Sequence, residues 1–370
     1  MNILVIGNGF DLAHGLPTRY DDFLTFVEEF TKYKDTNKCN LKFLDYFKSL
    51  NEININLYDQ LNEFIEDNRW FNYFLTLREN KAFLNKQTWI DFESEISKVI
   101  KTIDEYRNKL ISEKVLENEK KQVDVHSFDV LHYILEKKEK LIQIACLLSL
   151  ENIRELKEEL LTDLNRLIRC LEIYLDDYVR KCCFDKLKKI KFIEALKIDK
   201  LLTFNYTNTY EHVYGTSNVN FDYIHGKATV EHDLNTCNLV LGIDEYLDEN
   251  EKNINVEFIQ FKKFFQRIYK GTGCLYKDWI IEYFDHSITD ELNLYFIGHS
   301  LDVTDKDILK ELILFDEANT TIYYHNQEAL GKMIANLVKV IGEDELISRT
   351  GGSKATISFV QQPNCGDKYD

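Results

Sequence analysis

A chain of 370 residues with a formal net charge of -17 is long enough for one large domain with an insertion, or for two domains. Its apolar content of 44% and aromatic content of 13% supply a sizeable core, and 29% charged residues give no compositional case for disorder. The acidic balance argues against a general affinity for nucleic acid, which rests on clustered Lys and Arg. No apolar run approaches the length of a membrane span, and "ILVI" near the start is too short for a signal segment. The 8 cysteines include no C-x-x-C pair, so a zinc ribbon has no local support, and a disulfide scaffold is not expected in a chain this long. Free thiols and a cytoplasmic location are the expectation.

The chain opens on "MNILVI", predicted as a strand, and runs directly into "GNGFDLAHGLP" at residues 7–17. Gly7, Gly9, Gly15 and Pro17 crowd this segment, whereas no glycine or proline occurs between Thr18 and Tyr214. That glycine-free stretch reads as helix after helix. In "YDDFLTFVEEF", Phe23, Phe26, Val27 and Phe30 share one face, with Asp21 or Asp22 near the start to cap it. "LENIRELKEELLTDLNRLIRCLEIYLDDYV" repeats Leu and Ile at three- and four-residue steps, as a helix packed on other helices does. The charge runs "ENEKKQ" and "EKKEK", and the basic "DKLKKIKF", read as solvated turns and helix faces.

From Leu201 onward the pattern changes to short apolar strands between turns: "LLTF", "VNFDYI", "NLVLG", "LNLYFIG", "TTIYY" and a possible edge strand "ATISFV" after the turn "TGGSK". Together with the first strand they predict an α/β fold with a Rossmann-type, mostly parallel sheet. Residues 1–17 and 201–370 would form it, interrupted by an all-helical insertion over 18–200. The strand ends carry Gly7-Asn8-Gly9, Asn205-Tyr206-Thr207-Asn208, His225-Gly226, Ile243-Asp244 and His299-Ser300. Ligands of an open parallel sheet bind beyond these carboxyl ends. Turns use the same residue types, so it is their recurrence at five ends that points to a site. A G-x-G turn after a first strand can bring backbone amides up to a phosphate, although the G-x-G-x-x-G spacing is not met here.

The longer spacing of "GNGFDLAHGLPTRY" resembles the G-A-G-x-S-x-x-x-G-I-P-D-F-R segment of sirtuins. "TFNYTNTYE", "IHG" and "IGHSLDVTDKDIL" resemble, in order, the later T-x-N-x-D, His-Gly and G-x-S-L segments of that fold. More closely, "NGFDLAHGLPTRYDDF", "TWIDFESEI", "TFNYTNTYE" and "LVLGID" resemble the bacteriophage abortive-infection AbiH family over most of the chain. The resemblance implies a sirtuin-like nucleotide site for NAD, as substrate or ligand, with no metal. Asn205 would position a water and His225 would act as base. Gly7, Asn8, Gly9, Asp11, Gly15, Pro17, Thr203, Thr207, Asn208, Gly226, Asp244, Gly298 and Ser300 would line the ligand. The implied function is phage defence by hydrolysing NAD at the nicotinamide–ribose bond, with a phage-derived trigger and a homo-oligomeric state as further expectations. The alternatives are a sensor that binds NAD or an ADP-ribose-type signal without cleaving it and, less favoured by the acidic charge, a nuclease.

Departures from the sirtuin pattern bear on these expectations. Asp11 stands at the serine position and would repel a pyrophosphate, so capping a helix or bonding ribose hydroxyls suits it better. Tyr20 stands at the arginine position, beside Arg19. The zinc-binding cysteine pairs of protein deacylases are absent, which disfavours protein deacetylation. Bland accounts remain open for the rest. Asn205 and His225 could be turn residues, and Thr207, Asn208 and Glu211 could bind ribose or cap a helix. Asp244 and Asp302 could be solvated loop acids, and His14 a loop residue or a ligand contact. Trp89, Asp91 and Glu93 belong to the AbiH-like pattern, with Trp89, Phe92 and Ile96 expected in a helical core and Glu93 able to reach a pocket. His126, His132, His212 and His286 show no metal-ligand spacing.

Overall fold

The computed structural model describes residues 1–83, 90–115, 150–248, 250–286, 291–315 and 318–363. Trp89, His126, His132, Cys146, Cys365 and both acidic–basic charge runs lie outside the described residues. The chain divides into two compact units, one of Met1–Thr18, Leu175–Thr229 and Lys270–Asp370, the other of Arg19–Tyr174 and Val230–Tyr269.

In the first unit, six strands form one sheet: β1 (Asn2–Ile6), β2 (Lys200–Thr203), β3 (Asn220–Tyr223), β4 (Leu292–Ile297), β5 (Ala318–Tyr324) and β6 (Ile357–Gln361). Every neighbouring pair is parallel and the order is β3-β2-β1-β4-β5-β6, the order of the doubly wound dinucleotide-binding sheet. β1 is central, with Leu4 opposite Leu201 on one side and Tyr295 on the other. The chain adds strands outward from β1 in one direction, then returns to start β4 on the other side. The switch point therefore falls between β1 and β4. Both faces of the sheet are covered, as an all-parallel sheet requires. Ile3, Val5, Leu202, Leu294, Phe296 and Ile322 pack into one apolar cluster, while Leu4, Ile6, Leu201 and Ile297 pack into another with Phe10 and Tyr210.

The second unit is helical in its regular elements among the described residues. Its helices include Tyr20–Thr36, Leu41–Ile53, Ile55–Ile65, Arg69–Phe83, Phe92–Val115, Leu150–Ile173 and Lys263–Lys270. The expected face of Phe23, Phe26, Val27 and Phe30 is buried, and Asp22 caps that helix by accepting from the Arg19 N–H at 3.1 Å. Phe92 and Ile96 are core residues, and the Phe92 ring stacks on Phe74 at 4.0 Å. Arg169 and Glu172 are fully buried in a closed network: Arg169 donates to Glu172 at 2.6 Å, and His232 meets the other Glu172 oxygen at 2.6 Å.

Three expectations change. "NLVLG" is not a sheet strand but an irregular, largely buried segment of the second unit, followed by an isolated bridge from Ile243 to Lys262. The Gln266 carboxamide clasps Leu241, accepting its N–H and donating to its carbonyl, both at 3.1 Å, and so substitutes for a strand partner. The unit boundaries also differ. Residues 175–200 fall with the sheet, and 230–269 with the helices, whereas the sequence pattern places one helical insertion over 18–200. "DKLKKIKF" is a short 3-10 turn, Phe184–Lys186, followed by an irregular stretch before the helix Lys191–Glu194, with Lys186, Lys188 and Lys189 exposed. The edge strand expected in "ATISFV" is β6.

Candidate functional site

Apart from Asp244, Glu93 and Lys263, the residues described here belong to the first unit. The turns after β1 and β4 lie backbone against backbone at the switch point. The Gly9 N–H donates to the Gly298 carbonyl at 2.8 Å, and Gly7 N–H to Ile297 at 3.3 Å. A Cβ on Gly7 would stand 2.8 Å from the His299 Cα, one on Gly9 2.8 Å from the Gly298 Cα, and one on Gly298 would land on the Phe10 nitrogen. Gly298 also has φ +69°, a conformation that favours glycine. The glycines thus serve the contact between two turns. The Gly7 and Gly9 amides, and that of Phe10, which donates to the Gly7 carbonyl at 2.8 Å, already have acceptors within the protein.

Behind this turn, Asp11 sits in the six-residue helix α1 (Asn8–Ala13) with its side chain almost wholly buried. Burial pushes its pKa up to about 6, and hydrogen bonding by Thr207, Thr209 and Asn205 holds it from rising further. Thr209 Oγ1 donates to Thr207 Oγ1 at 3.0 Å, and Thr207 Oγ1 donates to Asp11 Oδ2 at 2.5 Å. Asn205 is set by the end of β2, where Thr203 Oγ1 accepts its backbone N–H at 3.0 Å. Among the described residues, Asp11 Oδ1 and Asn205 Nδ2 are buried without a hydrogen-bond partner. Asn205 nevertheless lies close enough to hold the Asp11 pKa down, so this buried donor and acceptor face one another without a bond of ordinary geometry, a relation that a bridging hydroxyl or water would satisfy.

His225 follows β3 and is 3% exposed. Its ring lies edge-on to Phe204 at 5.5 Å and tilted against Tyr206 at 6.2 Å, both from the segment after β2. The Nε2 atom faces Asp305 Oδ1 at 3.2 Å. On the far side of the same carboxylate, His299 Nε2 stands 3.7 Å from Asp305 Oδ2, and the His299 ring meets Phe204 edge-on at 4.4 Å. His299 Nδ1 accepts the Leu301 N–H at 2.9 Å, so in the neutral ring the proton sits on Nε2. Leu301 is fully buried and holds φ +56°, a left-handed conformation that costs a branched side chain roughly 1–2 kcal/mol. Among the described residues, no cluster of three or more His, Cys, Asp or Glu has the arrangement of a metal site.

The other sequence candidates divide. Gly226, after His225, has φ +81° and is buried. Asn8 is exposed and closes the loop onto Thr18, whose hydroxyl donates to Asn8 Oδ1 at 2.6 Å. Gly15 is exposed with φ +82°, Pro17 is half-buried beside it, and Ser300 is exposed. Asn208 stands at the N-cap of the helix Thr209–Tyr214 without a side-chain capping bond. Glu211 accepts from Tyr223 at 2.6 Å and Lys227 at 2.8 Å. His14 is a tie within the fold, bonding the Phe10 carbonyl at 2.8 Å and Tyr214 at 3.0 Å, and burial lowers its pKa despite the Phe10 bond. Asp244 and Glu93 belong to the helical unit, where Glu93 pairs with Lys263 at 2.6 Å. The structure thus gathers Asp11, Thr203, Asn205, Thr207, Gly226 and His225 around adjoining strand ends. His299, part of the strand-end pattern as His299-Ser300, joins them, and so do Asp305 and Thr209, which that pattern did not include.

The parallel order and the polar residues at its switch point put this unit among doubly wound α/β proteins, whose ligands bind beyond the carboxyl ends of the strands. The chain belongs to the bacteriophage abortive infection AbiH family, whose model matches residues 3–325. No curated protein and no solved structure matches the chain. Likeness to sirtuins therefore rests on the four ordered motifs. Among the described residues, no helix is long and apolar enough to cross a membrane.

Proposed function

We propose that this protein defends against bacteriophage by hydrolysing NAD at the nicotinamide–ribose bond, through a sirtuin-like site built on Asn205 and His225. The observation that supports this reading is the buried pair of Asp11 Oδ1, on the helix after β1, and Asn205 Nδ2, just beyond β2, which face each other without a hydrogen bond of ordinary geometry. A ribose hydroxyl or the attacking water fits between such a donor and acceptor. Abortive infection, the family's description, suits a reaction that drains a metabolite from the infected cell. Water adds to the ribose carbon as nicotinamide leaves with the bonding electrons, and the water's second proton passes to His225. General-base assistance of this kind contributes roughly a hundred- to ten-thousandfold. The engaged amides of Gly7, Gly9 and Phe10 keep the pyrophosphate away from that turn, which also suits the acidity of Asp11.

The test is nicotinamide release from NAD by purified protein, with and without phage lysate. Release that falls at least about a hundredfold in Asn205→Ala and in His225→Ala, with both variants still folded, supports the enzyme. Tight NAD binding without release under any trigger overturns it in favour of a nucleotide sensor.

A further inference from the structure

We infer that Thr207 and Thr209 are positioning residues for Asp11: in series, their hydroxyls engage one oxygen of its carboxylate and leave the other, Oδ1, to accept a hydroxyl of the ligand. That the ligand is NAD rests on the reading above; the positioning of Asp11 does not. Thr207 Oγ1 donates to Asp11 Oδ2 at 2.5 Å, and Thr209 Oγ1 donates to Thr207 Oγ1 at 3.0 Å. A hydroxyl has one proton and two lone pairs. Thr207 gives its proton to the carboxylate, so towards Thr209 it can only accept. The series therefore runs one way and ends on an Oδ2 that carries no proton, in a charge-assisted bond. Asp11 and Thr209 are 1% exposed and Thr207 7%. A carboxylate so placed is unfavourable as an anion, and both hydroxyls offset this by lowering the Asp11 pKa. The two threonines lie just beyond β2 and Asp11 on the helix after β1, so the series also fixes the carboxylate against the neighbouring strand end.

At Oδ1 the setting differs. Among the described residues this atom has no hydrogen-bond partner, and the Asn205 Nδ2 donor faces it without a bond of ordinary geometry. A group that bonds both must donate to the carboxylate and accept from the amide. A hydroxyl does both, whereas an ionised phosphate can only accept and an ammonium can only donate. The pair thus selects a neutral hydroxyl, such as a sugar carries, over the ionic groups of a nucleotide. Among the described residues, Tyr223 at the end of β3 is the titratable side chain whose pKa the Asp11 charge affects. Burial raises the Tyr223 pKa most, then the bond and charge of Glu211, and the Asp11 charge least, so Tyr223 stays neutral where Asp11 titrates. Beyond it, Lys227 donates to Glu211 at 2.8 Å and balances its charge.

The test is carbon NMR of the full chain labelled at its aspartate carboxyls, with the Asp11 signal assigned by its loss in Asp11→Asn. The midpoint, about 6 in the native protein, should rise by about one to two pH units in Thr207→Val, the effect of losing a hydrogen bond to a charged group. Thr209→Val should raise it less, and Thr207→Ser, which restores the hydroxyl, should return it to the native value. An unmoved midpoint in a folded Thr207→Val, or in Thr209→Val should the first variant not fold, overturns the positioning. Calorimetric titration with NAD then reads Oδ1. Native affinity should fall about tenfold for each pH unit below the Asp11 midpoint. In Thr207→Val the fall should begin at the raised midpoint, with affinity recovered by about pH 9; a merely structural role would weaken binding equally at every pH. Affinity that is flat through the midpoint means that Oδ1 holds a water, and overturns the assignment of the hydroxyl. NAD that binds at no pH, in a protein whose midpoints shift as stated, overturns the NAD reading and with it the ligand assigned to Oδ1, while the positioning of Asp11 stands.

Discussion

Removing the Asp11 carboxylate from water pushes its pKa up to about 6 from 3.8, and this disfavours its charged form in the native state. As pH rises from about 4, the unfolded chain gives up the proton first, so the native state loses stability through the window from about 4 to 6 and levels off above it. A shift of about two units at a fully buried group corresponds to about 3 kcal/mol. Asp11→Asn keeps an oxygen to accept from Thr207 but cannot titrate, so the variant should gain on the native protein by up to that amount between pH 4 and 7. Hydrogen exchange at the β1 amides, which report the sheet unit, measures the difference; a gap that stays constant across the range overturns the burial account. At this same scale, the sequence placed Asn205 and His225 just beyond predicted strands, as the structure does, while their roles came from the resemblance. Asp305 was not legible: an aspartate ahead of "KDILKELI" reads as a helix cap. Its true partners lie at the ends of β3 and β4, distant in sequence, and burial that joins them leaves no periodic trace.

Two glycines of similar appearance in the sequence, one in the contact between the turns after β1 and β4 and one in a helix, meet opposite demands. Gly298→Ala would place a methyl on the Phe10 nitrogen at φ +69° and should destabilise the protein by at least about 2 kcal/mol. Gly331 lies exposed in the helix Gln327–Ile341 with open space around it, so Gly331→Ala should stabilise by about 0.5–1 kcal/mol. Thermal unfolding should shift down for the first and up for the second; a Gly298→Ala protein that melts with the native one would refute the turn contact. Strands β1 to β6 were readable because each is a short apolar run closed by turn residues. "NLVLG" carries the same signature and still stands outside the sheet, since a buried apolar run reads like a central strand whatever its hydrogen-bond partners. What separates them is Gln266, whose side chain supplies the hydrogen bonds of a neighbouring strand.

Across the whole chain, the sheet unit is assembled from three segments, and the sequence leaves it twice, for 19–174 and for 230–269. The first departure was legible from the loss of glycine and proline at Thr18. The second was not, because 230–269 mixes turns and apolar runs much as the sheet segments do. Assembly from distant segments gives the strands unequal weight. β1 is bonded to β2 and β4, and Ile3, Leu4, Val5 and Ile6 are all at or below 2% exposed. Burying four such side chains is worth roughly 6–12 kcal/mol, comparable with the entire net stability of about 5–15 kcal/mol of a folded domain. β6 pairs only with β5, and within it Ile357 alone is buried. A protein lacking residues 1–6 should therefore lose the sheet unit altogether. One ending just before Ile357 should keep it, with stability lower by about 1.5–3 kcal/mol. Limited proteolysis mapped to residues 200–229 and 291–315 distinguishes the two: rapid cleavage is expected in the first truncation and protection in the second. Equal protection in both would mean that β1 is not the strand on which the sheet depends.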